Sequence, residues 1–127
     1  MVFVESFLQK LQKIISNHNN MAKQFTDDNF ETDVIQASKE KPVLVDFYAS
    51  WCGPCVMQGP IVDAVSEEMS ESAYVGKLST EDSQMTAMKY GVMSIPTLII
   101  FKDGEPVDTM VGVQTGEVLK SKLEQFA

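Results

Sequence analysis

The two cysteines of this chain, Cys52 and Cys55, are separated only by Gly53 and Pro54. Thiols at this spacing can form a disulfide and reopen to a dithiol, and this cycle requires no cofactor. A bridge that closes such a short loop adds little stability to a fold, which favours redox chemistry over a structural disulfide. Zinc needs more ligands than two thiolates, and the single histidine, His18, lies in a separate segment, so no metal site is expected.

The segments on either side of the cysteines predict how the fold presents them. Residues 43–49 are apolar except for one aspartate, which is typical of a buried strand. Apolar residues from Met57 onward recur at helical spacing, and Pro54 suits a first helical turn because its missing N–H removes no helical hydrogen bond. Cys52 is therefore expected at the N-terminus of a helix, immediately after a strand.

The expected helix terminus gives the two thiols different roles. Unpaired N–H groups and the helix dipole favour an anion by up to ~2 kcal/mol, which would lower a thiol pKa by roughly one and a half units. We therefore assign Cys52, which we also expect to be the more exposed thiol, as the nucleophile, and Cys55 as the thiol that resolves the mixed disulfide. Gly53 and Pro54 carry no charge that would stabilise the thiolate further, so we expect a reductant and not a thiol oxidase or isomerase.

Two motifs resemble the thioredoxin family, and the resemblance extends over residues 21–127. They are Phe47-Tyr48-Ala49-Ser50-Trp51-Cys52-Gly53-Pro54-Cys55 and Ser94-Ile95-Pro96-Thr97. The resemblance implies an α/β thioredoxin fold, with a central mixed five-stranded sheet flanked by helices, and protein-disulfide reductase activity through Cys52 and Cys55. It also implies electrons from NADPH through a thioredoxin reductase, disulfide-containing proteins as clients, no resident cofactor, a monomeric state and a cytoplasmic location.

The same resemblance suggests roles for residues around the dithiol. Asp46 would lie buried beneath it as a proton acceptor for Cys55, with Lys77 as its charge partner. The sequence leaves two alternatives open, a carboxylate that reaches water at the strand end and an ordinary surface lysine. Pro96 would be cis and would leave the backbone of Ile95 free to pair with an extended client segment, although most X-Pro bonds are trans.

An apolar client surface is expected around the cysteines. Its residues would be Trp51, Gly53, Pro54, Ile95, Pro96, Val111 and Gly112. The chain departs from the familiar family pattern where Val56 replaces a common lysine or arginine and Tyr48 a frequent tryptophan, while Thr80-Glu81 occupies the usual acidic segment. The eight methionines are expected to serve as adaptable packing, with Met93 near the client surface.

The rest of the chain predicts alternating strands and helices, then a hairpin and a final helix. Strands are expected at 23–25, 74–78, 97–101 and 107–111, with Pro106 restricting the last of these to an edge. Asp103-Gly104 predicts the hairpin turn. Helices are expected from Thr26 to about Lys39, over 83–90, and from Thr115, the last with an apolar side of Val118, Leu119, Leu123 and Phe126.

Residues 1–20 form a separate predicted unit, an amphipathic helix and a polar linker preceding a domain at 21–127. Its apolar side would contain Phe3, Phe7, Leu8, Leu11, Ile14 and Ile15. Charges interrupt any apolar run, so the segment does not resemble a secretory signal. It is either a vector-derived or upstream-start extension or a helix that docks on a partner or dimerises.

Composition restricts the remaining function classes. The chain has 127 residues and a net charge of −8, with 10 basic against 18 acidic residues. The basic residues are all lysines, so no basic stripe or arginine fork indicates nucleic acid, and no stretch is long and apolar enough for a membrane span. A non-catalytic, redox-switched protein-binding module that uses the same surface is the alternative to a reductase.

Overall fold

The structure is a computed structural model that describes residues 22–127, so the predicted N-terminal helix and the division of the chain at residue 20 lie outside it. Its five strands are β1 (Lys23–Phe25), β2 (Val43–Tyr48), β3 (Tyr74–Ser79), β4 (Thr97–Lys102) and β5 (Glu105–Val111). They form one sheet in the order β1-β3-β2-β4-β5. The three strands β1, β3 and β2 are mutually parallel, whereas β4 and β5 add antiparallel pairings. The prediction of a mixed five-stranded sheet is confirmed.

Four helical segments connect or follow the strands. They are α1 (Glu31–Gln36), which has π-type hydrogen bonding and continues into a 3-10 turn at Ala37–Lys39, α2 (Gly53–Glu68), α3 (Gln84–Lys89) and α4 (Gly116–Gln125). The prediction that the first helix starts at Thr26 is wrong. Thr26 N donates to Asn29 Oδ1 at 2.8 Å and Asn29 N donates to Thr26 Oγ1 at 3.2 Å, and these reciprocal bonds close a separate turn before the helix.

The sheet separates two apolar cores because successive strand residues point to opposite faces. On one face, Leu44 packs with residues of α2 and α4 in a cluster that includes Val62, Val65, Leu119 and Leu123. On the other, Val43, Val45 and Phe47 pack with Phe30, which precedes α1, and with Val34 of α1. Asp46 alternates with Val45 and Phe47, so its side chain points to the α2 face.

The C-terminal hairpin follows its sequence signal. Asp103 and Gly104 have φ values of 54° and 84°, and positive φ at both central residues is the requirement of a type I′ hairpin turn. Pro106 lies on the edge strand β5, as predicted, next to a register shift at Ile100/Phe101. In α4 the prediction for Val118 is wrong: Leu119 and Leu123 are buried, whereas Val118 is exposed.

Candidate active site

The dithiol lies at the N-terminus of α2, as the sequence predicts. Cys52 is the N-cap residue of this helix, Pro54 is in its first turn, and Cys52 and Cys55 form a disulfide. The Cys55 N–H donates to Cys52 Sγ at 3.2 Å. An N–H donor and the positive end of the helix dipole at Sγ favour a thiolate at Cys52 when the disulfide is open.

Exposure does not distinguish the two cysteines. Each is only 5% exposed, so the expectation that Cys52 is the more exposed thiol is wrong. Both cysteines pack in a small cluster with Ala49, and the half-buried Tyr48 and Ile95 pack against this cluster. The preference for Cys52 as nucleophile therefore depends on the helix terminus alone.

The loop that precedes β4 faces Cys52. The Ile95-Pro96 peptide bond is cis, and the Ile95 carbonyl oxygen is 3.8 Å from Cys52 Sγ. Gly112, just after β5, donates its N–H to the Pro96 carbonyl oxygen at 2.8 Å. Gly112 has a φ of 90°, a conformation that favours glycine. The fold thus brings together Ile95, Pro96 and Gly112, which are distant from Cys52 in the sequence.

Most of the remaining residues expected on the client surface are solvent-exposed. Trp51 is 73% exposed, and Gly53, Pro54 and Val111 are also exposed, whereas Pro96 is buried. Ile95 is half-buried because it packs against the cysteines. Most residues predicted for the client surface are therefore accessible to a client. Pro96 is not, and its role is limited to holding the loop in place.

A glutamine that the sequence analysis did not select holds the Gly112 loop to α2. Gln58 is fully buried and makes two hydrogen bonds to the backbone of Gln114, accepting from its N–H at 2.7 Å and donating to its carbonyl oxygen at 3.0 Å. Both bonds satisfy a side-chain amide that would be costly to bury unpaired. A glutamine one turn after a C-x-x-C motif gives no sequence signal of this contact.

Asp46 is inside the protein, and the alternative of a solvated carboxylate is wrong. It is 1% exposed, and Oδ1 has no hydrogen-bond partner within residues 22–127. Burial raises the pKa of Asp46 to about 7; the positive charge of Lys77 opposes this shift and the negative charge of Asp63 adds to it. A carboxyl group with this pKa exchanges its proton near neutrality.

Lys77 is adjacent to Asp46 but pairs with another carboxylate. The two residues are register partners on β2 and β3, whereas Lys77 Nζ makes its ion pair with Asp63 Oδ1 at 3.0 Å. Asp63 lies on α2, one turn beyond Gly59, whose Cα faces the same Nζ. The sequence analysis missed Asp63, because only the rotation of α2 about its axis brings this residue over β3.

A cavity of about 300 Å³ connects the buried carboxylate with the second cysteine. Its lining includes Asp46, Cys55, Lys77, Tyr48 and Gly59. A cavity of this volume has room for water molecules next to both side chains. A larger cavity of about 670 Å³ lies beside β1 and the C-terminal part of α2, away from both cysteines, and its lining suggests no chemistry.

Glu81 anchors the loop that presents Trp51 and Cys52. Its Oε1 accepts hydrogen bonds from Ser50 N at 2.7 Å and from Ser50 Oγ at 2.8 Å. These bonds lower the pKa of Glu81, so its carboxylate stays ionised at mildly acidic pH. In the sequence Glu81 stands out only as part of an acidic segment. Its contact with Ser50 depends on the packing of two loops that follow the neighbouring parallel strands β2 and β3.

The expectation that the methionines serve as packing is wrong for most of those described. Met57, Met85, Met88 and Met93 are 67%, 76%, 79% and 95% exposed, and only Met69 and Met110 are buried. Across residues 22–127 no group of three or more His, Cys, Asp or Glu side chains could hold a metal ion. None of the helices in this range is long and apolar enough to cross a membrane.

Comparison with known proteins agrees with the site. The family profile named Thioredoxin matches residues 21–125. The thioredoxin of Porphyra purpurea is 48% identical over 103 residues, which are 81% of this chain and 94% of that protein. A Synechocystis thioredoxin is 47% identical over the same shares of the two chains. Thioredoxin 1 of Synechococcus elongatus is 43% identical over 84% of this chain and 97% of its own.

Proposed function

The chain belongs to the thioredoxin family, and on this basis we propose how its residues divide the work of disulfide reduction. The protein is a thiol-disulfide oxidoreductase that reduces protein disulfides by exchange through Cys52 and Cys55. Thioredoxins need no cofactor for this reaction, because the electrons leave from the dithiol itself. The observation that supports the proposed roles is the cavity shared by Cys55 and Asp46.

Cys52 is the proposed nucleophile. Its thiolate attacks one sulfur of a client disulfide, a bond forms between Cys52 and that sulfur, and the other client sulfur leaves as a thiolate. Support comes from the N–H of Cys55, which points at Cys52 Sγ, and from the helix terminus at the same atom.

Cys55 and Asp46 are the proposed resolving pair. Asp46 accepts the Cys55 proton through water in the shared cavity, and the Cys55 thiolate then attacks Cys52 Sγ and releases the second client thiol. The pKa of Asp46 near neutrality suits this task, since a carboxylate with the ordinary pKa would be a weaker base. Lys77 is a positioning and tuning residue in this proposal, because its charge, shared with Asp63, limits how far the pKa of Asp46 rises.

The proposed client surface surrounds the sulfurs. Trp51, Gly53, Pro54 and Val111 supply exposed area, and the Ile95 backbone, next to Cys52 Sγ, is available to an extended client segment. Pro96 and Gly112 act as positioning residues, because the hydrogen bond from the Gly112 N–H to the Pro96 carbonyl oxygen fixes the loop that contains Ile95.

The wider setting is part of the same proposal. The oxidised protein requires a reductase, for which NADPH is the proposed electron source, and a reducing compartment such as the cytoplasm. We also propose that residues 21–127 form a monomeric working domain and that residues 1–20 are an appended segment whose apolar side docks on a partner or a second copy.

Insulin reduction by dithiothreitol tests the activity. The protein is expected to accelerate insulin precipitation, whereas Cys52→Ser abolishes the acceleration because the attacking sulfur is gone. A redox-switched binding module would leave the insulin reaction at its uncatalysed rate with either protein. That result would overturn the assigned reductase activity.

A further inference from the structure

Two of the exposed methionines flank the dithiol. Met57 is four residues after Gly53 in α2, so the two residues share one face of the helix, and Met57 is 67% exposed. Met93 is 95% exposed and lies two residues before Ile95, whose carbonyl oxygen contacts Cys52 Sγ. Their thioethers therefore border the proposed client surface, one on the helix side and one on the loop side.

An exposed thioether is a site of oxidation by hydrogen peroxide. The sulfur lone pair attacks one peroxide oxygen, an S–O bond forms as the O–O bond breaks, and the peroxide is reduced by two electrons to water. The resulting sulfoxide is polar, whereas the thioether is an apolar and adaptable contact. Met69 and Met110, each only 7% exposed, are protected by the core around them.

We propose that Met57 and Met93 form an oxidation-sensitive pair through which hydrogen peroxide weakens client binding while the dithiol stays intact. The inference rests on the proposed client surface. A sulfoxide pressed against a client must give up part of its hydration, so binding of apolar clients weakens. The cysteines are protected in the oxidised protein, because a disulfide has no thiolate for peroxide to attack.

Mass mapping tests the modification itself. The disulfide form is treated with hydrogen peroxide, and the oxidation of each methionine is followed with time. Met57 and Met93 are expected to oxidise well before Met69 and Met110, which serve as internal controls within the same chain. Oxidation of the buried pair first, or resistance of Met57 or Met93, would overturn the proposal.

Kinetics after removal of peroxide test the consequence. The KM for insulin is expected to rise roughly fivefold to tenfold, which corresponds to the loss of one or two modest apolar contacts, with little change in kcat. The single-turnover reaction of the reduced protein with hydroxyethyl disulfide is expected to stay unchanged, because so small a substrate does not need the surface. An equal loss with both substrates would place the damage at the dithiol and overturn the proposal.

Leucine variants locate the effect, each compared with its own untreated form. The double variant Met57→Leu/Met93→Leu is expected to lose the peroxide effect on KM. The matched variant Met85→Leu/Met88→Leu, which removes two exposed thioethers from α3, is expected to retain it. The reverse pattern would contradict the assignment to Met57 and Met93.

Enzymatic repair of the sulfoxides provides a further test of the proposal. Methionine sulfoxide reductases acting with dithiothreitol are expected to restore the original KM, since sulfoxides are reversible and over-oxidised cysteines are not. A KM that stays high after complete repair would overturn the proposal. Failure of the proposed function would look different, because untreated protein would already lack normal insulin reduction.

Discussion

The carboxyl group of Asp46 is ionisable and almost completely buried. Its folded-state pKa of about 7 lies above the ordinary value of 3.8, so folding is opposed by this group once the pH exceeds the ordinary value. The penalty grows as the pH rises toward 7 and is constant above it. A carboxylate retained at such a cost in stability is typical of a residue that serves chemistry.

Asp46→Asn is expected to raise the free energy of unfolding at pH 8, on the order of a few kcal/mol, because the charge that is costly to bury has been removed. The gain should largely disappear by pH 3, below both pKa values, where most of the parent carboxyl is protonated in the folded and in the unfolded state. Urea unfolding at both pH values measures this, with Glu124→Gln as a surface-charge control. A variant less stable than the parent at pH 8 would show that the carboxylate is well satisfied in the fold.

The same variant should reduce insulin more slowly at pH 7, because Cys55 loses its proton acceptor. The difference from the parent is expected to narrow as rising pH deprotonates Cys55 directly. A constant ratio of rates between pH 6 and pH 9 would argue that Asp46 takes no part in proton transfer.

Glu81→Gln is expected to lower insulin reduction by severalfold, because the amide replaces a charge-assisted acceptor of two Ser50 hydrogen bonds with a neutral one. The pH dependence has a defined sign: the lowered pKa of Glu81 means that its contribution is present above the ordinary pKa and is lost as the pH falls through the folded value. Fluorescence anisotropy of Trp51, the single tryptophan, reports the mobility of the loop. Unchanged anisotropy and rate in Glu81→Gln would exclude this anchoring role.

At the scale of elements, the N-terminus of α2 decides which thiol reacts. In the reduced protein Cys52 is expected to alkylate before Cys55 at pH 7, because only its Sγ lies at the helix terminus with an N–H donor directed at it. Limiting iodoacetamide followed by peptide mass mapping measures the order, with Cys52→Ser and Cys55→Ser as references for each thiol alone. Faster labelling of Cys55 would reverse the assigned roles.

Cys55→Ser is expected to accumulate a mixed disulfide between Cys52 and its clients, because the sulfur that completes the exchange has been replaced. Non-reducing electrophoresis after incubation with insulin detects the adduct, and Cys52→Ser is the matched control that should form none. Adducts on Cys52→Ser instead would make Cys55 the attacking residue.

The sequence predicted those elements whose signals are local. An Asp-Gly pair favours the positive φ values of a tight hairpin turn, and Pro54 suits a first helical turn because it lacks an N–H. Asp103-Gly104 therefore predicted the hairpin, and Pro54 predicted the start of α2. The start of α1 could not be predicted, because the side chains of Thr26 and Asn29 each accept a hydrogen bond from the backbone N–H of the other and close a separate turn before the helix.

Two contacts between elements could not be predicted from the sequence. The ion pair of Lys77 with Asp63 depends on how α2 is rotated against β3. The hydrogen bonds that Ser50 donates to Glu81 depend on the loops after β2 and β3 meeting at one end of the sheet. Burial was also misjudged in both directions, because a motif does not reveal what covers it: Cys52 is covered by its neighbours, whereas Met93 is not.

At the scale of the whole molecule, the site lies within the described part of the chain. The proposed residues span positions 46 to 112, so deletion of residues 1–20 is expected to leave insulin reduction unchanged. Light scattering of the full-length and truncated proteins measures any association through the deleted segment. A large loss of activity in the truncated protein would show that the segment belongs to the working domain.

The bond between Gly112 and Pro96 ties the last strand of the sheet to the first catalytic sulfur through Ile95. During synthesis on a ribosome, the C-x-x-C motif emerges long before these residues do. A nascent chain therefore contains the dithiol before the Ile95 loop can be held next to Cys52. We expect selectivity between clients only after the C-terminal hairpin has completed the sheet. Ribosome-stalled chains that end before and after the hairpin should consequently differ in how indiscriminately their thiols exchange.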